Sequence, residues 1–242
     1  MGNILWFDSA GIVPCVPTAS SAQADSPSSR MGVIGGRFER PWRSTDLSAQ
    51  SLAFPFAGST SIVGFALYNF NAPSITIAGT PYTVSQDFDD MGKLFKIVPL
   101  TTASVAVSIP GSQTTFDSAN FYKIGRLYFL TGVHEMEQCP ETISREIRDP
   151  QIIAPRFGGG VLDTLPAGTQ FSVEQWGGRW MSDELPNVKT LFKRRAHQWV
   201  GYFRNYLDRD YEFWFAGKSS GLRIDYSGNL AVQMAISFEQ KN

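Results

Sequence analysis

The 242-residue sequence predicts a mainly β protein, an N-terminal antiparallel β-sandwich of the jelly-roll type followed by a smaller α+β unit with one amphipathic helix. Three observations predict it. Short apolar runs separated by turn residues follow one another across residues 52–130, with no helical pattern between them, which is the signature of a sandwich. In Ile75-Thr76-Ile77 and Val105-Ala106-Val107-Ser108-Ile109 the large residues recur at every second position, the strand period. Charged residues are 18% and aromatics 13%, with 22 Gly and 14 Pro. That low charge leaves much apolar surface to bury between many turns.

The first forty residues are partly irregular, and Ser20-Ser21-Ala22-Gln23-Ala24-Asp25-Ser26-Pro27-Ser28-Ser29 reads as an exposed loop. Strands are expected at 52–56, 62–70, 74–77, 82–85, 94–98, 105–109 and 121–130. Gly58-Ser59, Asn71-Ala72-Pro73, Gly79-Thr80-Pro81, Pro110-Gly111 and Asp117-Ser118 lie between them. Residues 1–130 therefore form the first domain. Across 131–168 the periodicity disappears and Pro140, Pro150, Pro155 and Pro166 punctuate the chain, so this stretch is expected to be an extended inter-domain arm. Gly158, Gly159 and Gly160 are its expected hinge.

Residues 169–242 form the second domain, with strands at 171–176, 212–215, 222–226 and 230–238. Ser227-Gly228-Asn229 supplies a hairpin turn before the last. Its helix is drawn from Val188, Leu191, Phe192, Trp199, Val200, Phe203, Tyr206 and Leu207, one apolar stripe at three- and four-residue spacing, capped by Asn187 after Pro186. Lys189, Lys193, Arg194, His197 and Arg204 line the other face. Arg195 sits at its edge, so Arg194 and Arg195 are expected interface contacts.

Several functional classes fall on composition. With 21 Lys+Arg against 22 Asp+Glu the net charge is −1. That argues against nonspecific binding to nucleic acid. No apolar run reaches the eighteen or so residues that cross a bilayer, so no membrane insertion is expected. Met1-Gly2-Asn3-Ile4-Leu5-Trp6-Phe7-Asp8 lacks a basic leader, and Trp6 stands where myristoylation wants Ser or Thr. Cys15 and Cys139 are too few for a disulfide scaffold and read as reduced thiols of a protein made in cytoplasm.

The catalytic motifs weaken on inspection. Gly217-Lys218-Ser219-Ser220-Gly221 matches a nucleophile elbow, but an alternating strand follows it where a helix should, so it reads as a hairpin loop. As a phosphate loop it lacks the leading glycine, position 212 being Glu. His134, Glu135, Glu137 and Cys139 fall short of a zinc set. In Asp87-Phe88-Asp89-Asp90-Met91-Gly92 the fifth residue is Met and the twelfth position is Val98, which excludes an EF-hand and leaves only a simple rim Ca²⁺ as an alternative. No catalytic residue, metal or cofactor is therefore expected. Trp42, Asn69 and Asn71, with Tyr68 and Phe70, offer a sugar platform of stacking rings and amides, against the plainer reading of a strand with one buried face.

Three segments occur in a characteristic order: Glu39-Arg40-Pro41-Trp42-Arg43-Ser44-Thr45, then Ile62-Val63-Gly64-Phe65-Ala66-Leu67-Tyr68-Asn69-Phe70-Asn71, then Tyr122-Lys123-Ile124-Gly125-Arg126-Leu127-Tyr128-Phe129. This resembles a family of tailed-bacteriophage tail-tip proteins, the distal tail protein-like family, with an N-terminal galactose-binding-like jelly roll. Members often carry a Trp-Arg-Ser segment, a strand ending Asn-His-Asn and a closing Ile-Gly-Arg-Leu-Phe strand. Phe70 replaces that histidine here. The resemblance implies a non-enzymatic structural component of the virion tail, assembled in the host cytoplasm. It would form a homo-oligomeric ring that links the tail tube protein to hub and fibre proteins of the baseplate. The alternative is a glycan- or receptor-binding module on the same particle, using Trp42, Asn69 and Asn71.

Overall fold

The computed structural model describes residues 4–7, 9–32, 40–86, 92–136, 142–148, 151–154, 163–166, 171–181, 186, 199–203, 213–226 and 231–240. The chain divides into two compact units, Ser9–Val133 and Met1–Asp8 together with His134–Asn242.

Strand β1 (Ile4–Phe7) opens the chain and belongs to the latter unit. The Ser9–Val133 unit holds β2 (Thr18–Ala19), β3 (Trp42–Arg43), β4 (Gln50–Phe70), β5 (Ser74–Ile77), β6 (Thr80–Thr83), β7 (Ser85–Gln86), β8 (Gly92–Ile109) and β9 (Lys123–Leu130). They pair in the order β3-β9-β4-β8-β5-β6, with β2 added to β4 and β7 to β8, and every pairing is antiparallel. The runs expected at 52–56 and 62–70 are thus one strand, and so are 94–98 and 105–109.

Both long strands turn a corner. The rings of Phe54 and Phe65 both approach Phe129, with centroids at 5.2 and 6.5 Å. Eleven residues of straight strand would hold Phe54 and Phe65 roughly 36 Å apart. β4 therefore folds over, and its ladder with β8 breaks there, between Pro55 and Thr60 and again between Ile62 and Gly64. Bulges at such corners let a strand pass from one layer of a sandwich to the other. Gly64 is needed at the bend, because a Cβ would run into the carbonyl of Lys96.

The enclosed core joins Leu52, Phe54, Val105, Val107 and Ile109 from one layer to Phe65, Leu67, Leu94, Leu127 and Phe129 from the other. Burial alternates along 50–54 of β4 but is continuous from Gly64 to Phe70. The outward face of the second layer is therefore buried too, with Ala66, Tyr68, Phe95 and Tyr128 on it. Tyr68 and Tyr128 meet edge to face at 5.9 Å. Burial, and then the neighbouring Tyr128, push the Tyr68 hydroxyl well above its usual range.

The second unit contains β10 (His134–Met136), β11 (Thr142–Arg148), β12 (Gln151–Ala154), β13 (Asp163–Pro166), β14 (Phe171–Met181), β15 (Trp199–Phe203), β16 (Phe213–Tyr226) and β17 (Ala231–Gln240). Its seven-stranded sheet runs β10-β1-β15-β16-β17-β14-β11, while β12 and β13 pair only with each other.

Three sequence expectations change here. Residues 199–203, assigned to the helix, form strand β15 between β1 and β16. Trp-Val-Gly-Tyr-Phe is rich in strand-forming side chains, and four apolar side chains about one glycine fit either period. The rest of the expected helix, 187–198 and 204–207, lies outside the described residues. The 131–168 segment, read as structureless, contributes β10 and β11 to the sheet and forms the β12–β13 pair. Charged residues in Ser144-Arg145-Glu146 dilute the apolar alternation that would have marked β11. Finally, Gly217–Gly221 is no hairpin loop. Ser219 stands inside β16 opposite Phe238, and the glycines mark a bulge between Ser219 and Gly221.

Candidate functional site

The polar residues of the sandwich concentrate where β3, the 115–121 loop and the start of β9 meet. β3 lies on β9, with Trp42 opposite Ile124 and Arg43 opposite Lys123. Alternation then decides their fates: Trp42 turns into the core and Arg43 turns out. Trp42 is 0% exposed, and its indole N–H donates to the carbonyl of Ser21 at 3.0 Å.

Asn71, just past β4, ties three segments together. Its Nδ2 donates to Asp117 Oδ1 at 3.0 Å and to the Phe121 carbonyl at 2.9 Å, and its Oδ1 accepts from the Lys123 amide at 2.8 Å. Its own carbonyl accepts from Phe116 N at 2.7 Å. Asp117 Oδ2 pairs with Lys123 Nζ at 2.7 Å, the side chains 30% and 19% exposed. Burial alone would raise the Asp117 carboxyl, but hydrogen bonds from Lys123 and Asn71 and the Lys123 charge outweigh it and hold the group below its ordinary value.

A second brace lies beneath. The Ser44 hydroxyl donates to the Asp46 carbonyl at 2.6 Å and accepts from Tyr122 N at 2.8 Å. The Tyr122 hydroxyl donates to the Pro110 carbonyl at 2.9 Å and accepts from Gln113 N at 3.0 Å.

On this rigid base the Arg43 guanidinium lies over the Phe121 ring, 5.3 Å from its centroid. Lys123, directly across the ladder, is neutralised by Asp117. Among the described residues Arg43 has no carboxylate partner, and its buried Nε has no acceptor. The rim thus presents a planar cation on an aromatic ring beside a carboxylate–ammonium pair. Such a set can hold hydroxyl and anionic groups.

The structure buries all three residues expected to contact glycan. Trp42 has no ring face in solvent, and Asn71 is a fully buried clamp. Asn69 is nearly buried and takes a left-handed backbone, φ 49°, which Asn tolerates better than most residues. The sequence reading missed Arg43, Phe121, Lys123 and Asp117. The available signal was the alternation about Trp42: once that ring is buried, its neighbour must face out.

Gly158, Gly159, Gly160, Arg194, Arg195, His197, Cys139 and the 87–90 acidic run all lie outside the described residues. Among the described residues no three His, Cys, Asp or Glu side chains group to hold a metal. No described helix is long and apolar enough to cross a membrane. Burial pushes the Cys15 thiol up to about 11, which makes it a poor nucleophile near neutral pH.

No family model matches the sequence, and no curated protein matches it. Among solved structures, XRCC1 as bound to the DNA polymerase beta catalytic domain aligns at TM-score 0.39 and 8% identity, over 50% of this chain and 97% of that one. The Streptococcus pneumoniae beta-galactosidase BgaA aligns at 0.38 and 10%, over 50% and 98%. The module CBM32-3 from a family 31 glycoside hydrolase of Clostridium perfringens aligns at 0.36 and 13%, over 52% and 95%.

Proposed function

We propose that this chain works by binding rather than by making or breaking covalent bonds, as a non-enzymatic virion tail-tip protein whose sandwich is a recognition module for a host glycan or receptor. One observation carries the recognition reading: the Arg43–Phe121 rim, a partly exposed cation on an aromatic ring with no carboxylate of its own among the described residues. A hydroxyl-rich or acidic saccharide supplies what that rim lacks, acceptors for the guanidinium beside a carboxylate and an ammonium that bind hydroxyls. Calorimetric titration with host surface polysaccharide tests it. Binding that disappears in Arg43→Ala and Phe121→Ala supports the reading, and no heat with any host polysaccharide overturns it.

The tail-tip setting draws on the ordered motifs of the resemblance. In that setting the chain is a homo-oligomeric ring subunit between the tail tube protein and hub or fibre proteins. The mass and electron-microscopic outline of particles containing the protein test this: a ring of copies supports it, and a single copy per particle sinks it.

A further inference from the structure

β1 and β10 are neighbours in the seven-stranded sheet and pair antiparallel, with Trp6 opposite His134, Leu5 opposite Glu135 and Ile4 opposite Met136. Two such strands are the arms of a hairpin, which ordinarily needs a connection of about two to five residues. Here the connection is the whole of Ser9–Val133.

Within the sandwich the two ends of that insert also lie side by side. Thr131 N donates to the Gly11 carbonyl at 2.8 Å and Val13 N to the Phe129 carbonyl at 2.8 Å, with Ile12 bridged to Leu130 between them. Gly11 is required by this close approach, since a Cβ would stand 2.8 Å from the Gly132 oxygen. Among the described residues the core of the sandwich runs from Val13 to Phe129. A chain that enters and leaves a domain at one spot can carry it in a loop without disturbing the host.

We infer that the sandwich is an autonomous module inserted into the β1–β10 hairpin, so that recognition and the seven-stranded sheet are separable properties of one chain. Each unit then unfolds without the other. This inference does not depend on which ligand the rim takes.

Hydrogen-exchange mass spectrometry of the full chain across a urea series tests it, because peptides report each unit separately. Protection in Ser9–Val133 peptides and in β14, β16 and β17 peptides should be lost at different urea concentrations. Asn71→Ala should lower the midpoint of the sandwich peptides by about 1 M and leave the others unmoved. If Asn71→Ala abolishes folding of the sandwich altogether, β16 and β17 peptides still protected at wild-type urea concentrations support the inference. A single shared transition in the wild type, or loss of β16 and β17 protection in the variant, overturns it.

Discussion

Replacing Asn71 by alanine removes the side chain that joins the end of β4 to the 115–121 loop and to β9. Three hydrogen bonds of 2.8–3.0 Å disappear together, one of them to the Asp117 carboxylate. A net worth of about 1 kcal/mol for each neutral bond and about 2 kcal/mol for the charge-assisted one sums to about 4 kcal/mol. Water entering beside the half-exposed Asp117 recovers part of this, so the expected loss is about 3 kcal/mol. Equilibrium urea unfolding read from Trp42 is the natural assay, because Trp42 is the one tryptophan of the Ser9–Val133 unit and sits buried beside the clamp. Ser44→Ala in the deeper brace serves as a comparison: it loses two bonds and should cost about 2 kcal/mol. If Asn71→Ala changes stability by less than about 0.5 kcal/mol, the clamp does not hold the loop.

Three further outcomes follow from the same geometry. Phe129→Ala, which strips the ring that Phe54, Phe56 and Phe65 all touch, should cost about 3–5 kcal/mol and unfold the sandwich in thermal melts. Because the folded state lowers the Asp117 carboxyl below its ordinary 3.8, it contributes stability above that pH and loses it as the pH falls through the folded value. Asp117→Asn should therefore be less stable than wild type at pH 7, and a difference that does not narrow at all as the pH is lowered below 3.8 would refute the assignment. With its pKa near 11 against an ordinary 9.0, Cys15 in the native protein should be alkylated by iodoacetamide at pH 8 roughly 100-fold more slowly than a free thiol, as peptide mass spectrometry can follow.

The class of the first domain was legible because strand periodicity is local: alternation in 105–109 needs no knowledge of the rest of the chain. What the sequence concealed depends on partners far away. Asn71 carries the same amide whether it faces a sugar or the backbone of Lys123, and only the return of the chain fifty residues later decides which. Trp42 looked like a stacking platform for the same reason, since nothing next to it announces that Ser21 waits for its indole N–H. Four apolar side chains about Gly201 at 199–203 satisfy helix and strand alike, and the sheet between β1 and β16 settles the choice. Ile4-Leu5-Trp6-Phe7 is apolar at every position, so it shows no strand alternation and reads as part of an irregular stretch. The rim residues were hidden because Arg43 and Phe121 are unremarkable until the fold stacks one on the other.

The siting of β1 also bears on how the protein is made. Ile4–Phe7 leaves the ribosome well before either of its partners, β10 beginning at His134 and β15 at Trp199. At about 5–20 residues per second, that greasy tetrapeptide waits roughly 6–25 s for β10 and roughly 10–40 s for β15. Through that interval it is an unshielded, sticky segment, and newly made copies crowded on one messenger are exposed to one another. A slower-translated or overexpressed message should therefore accumulate insoluble nascent protein through Ile4–Phe7 rather than through the sandwich, which can close as soon as residue 130 has emerged.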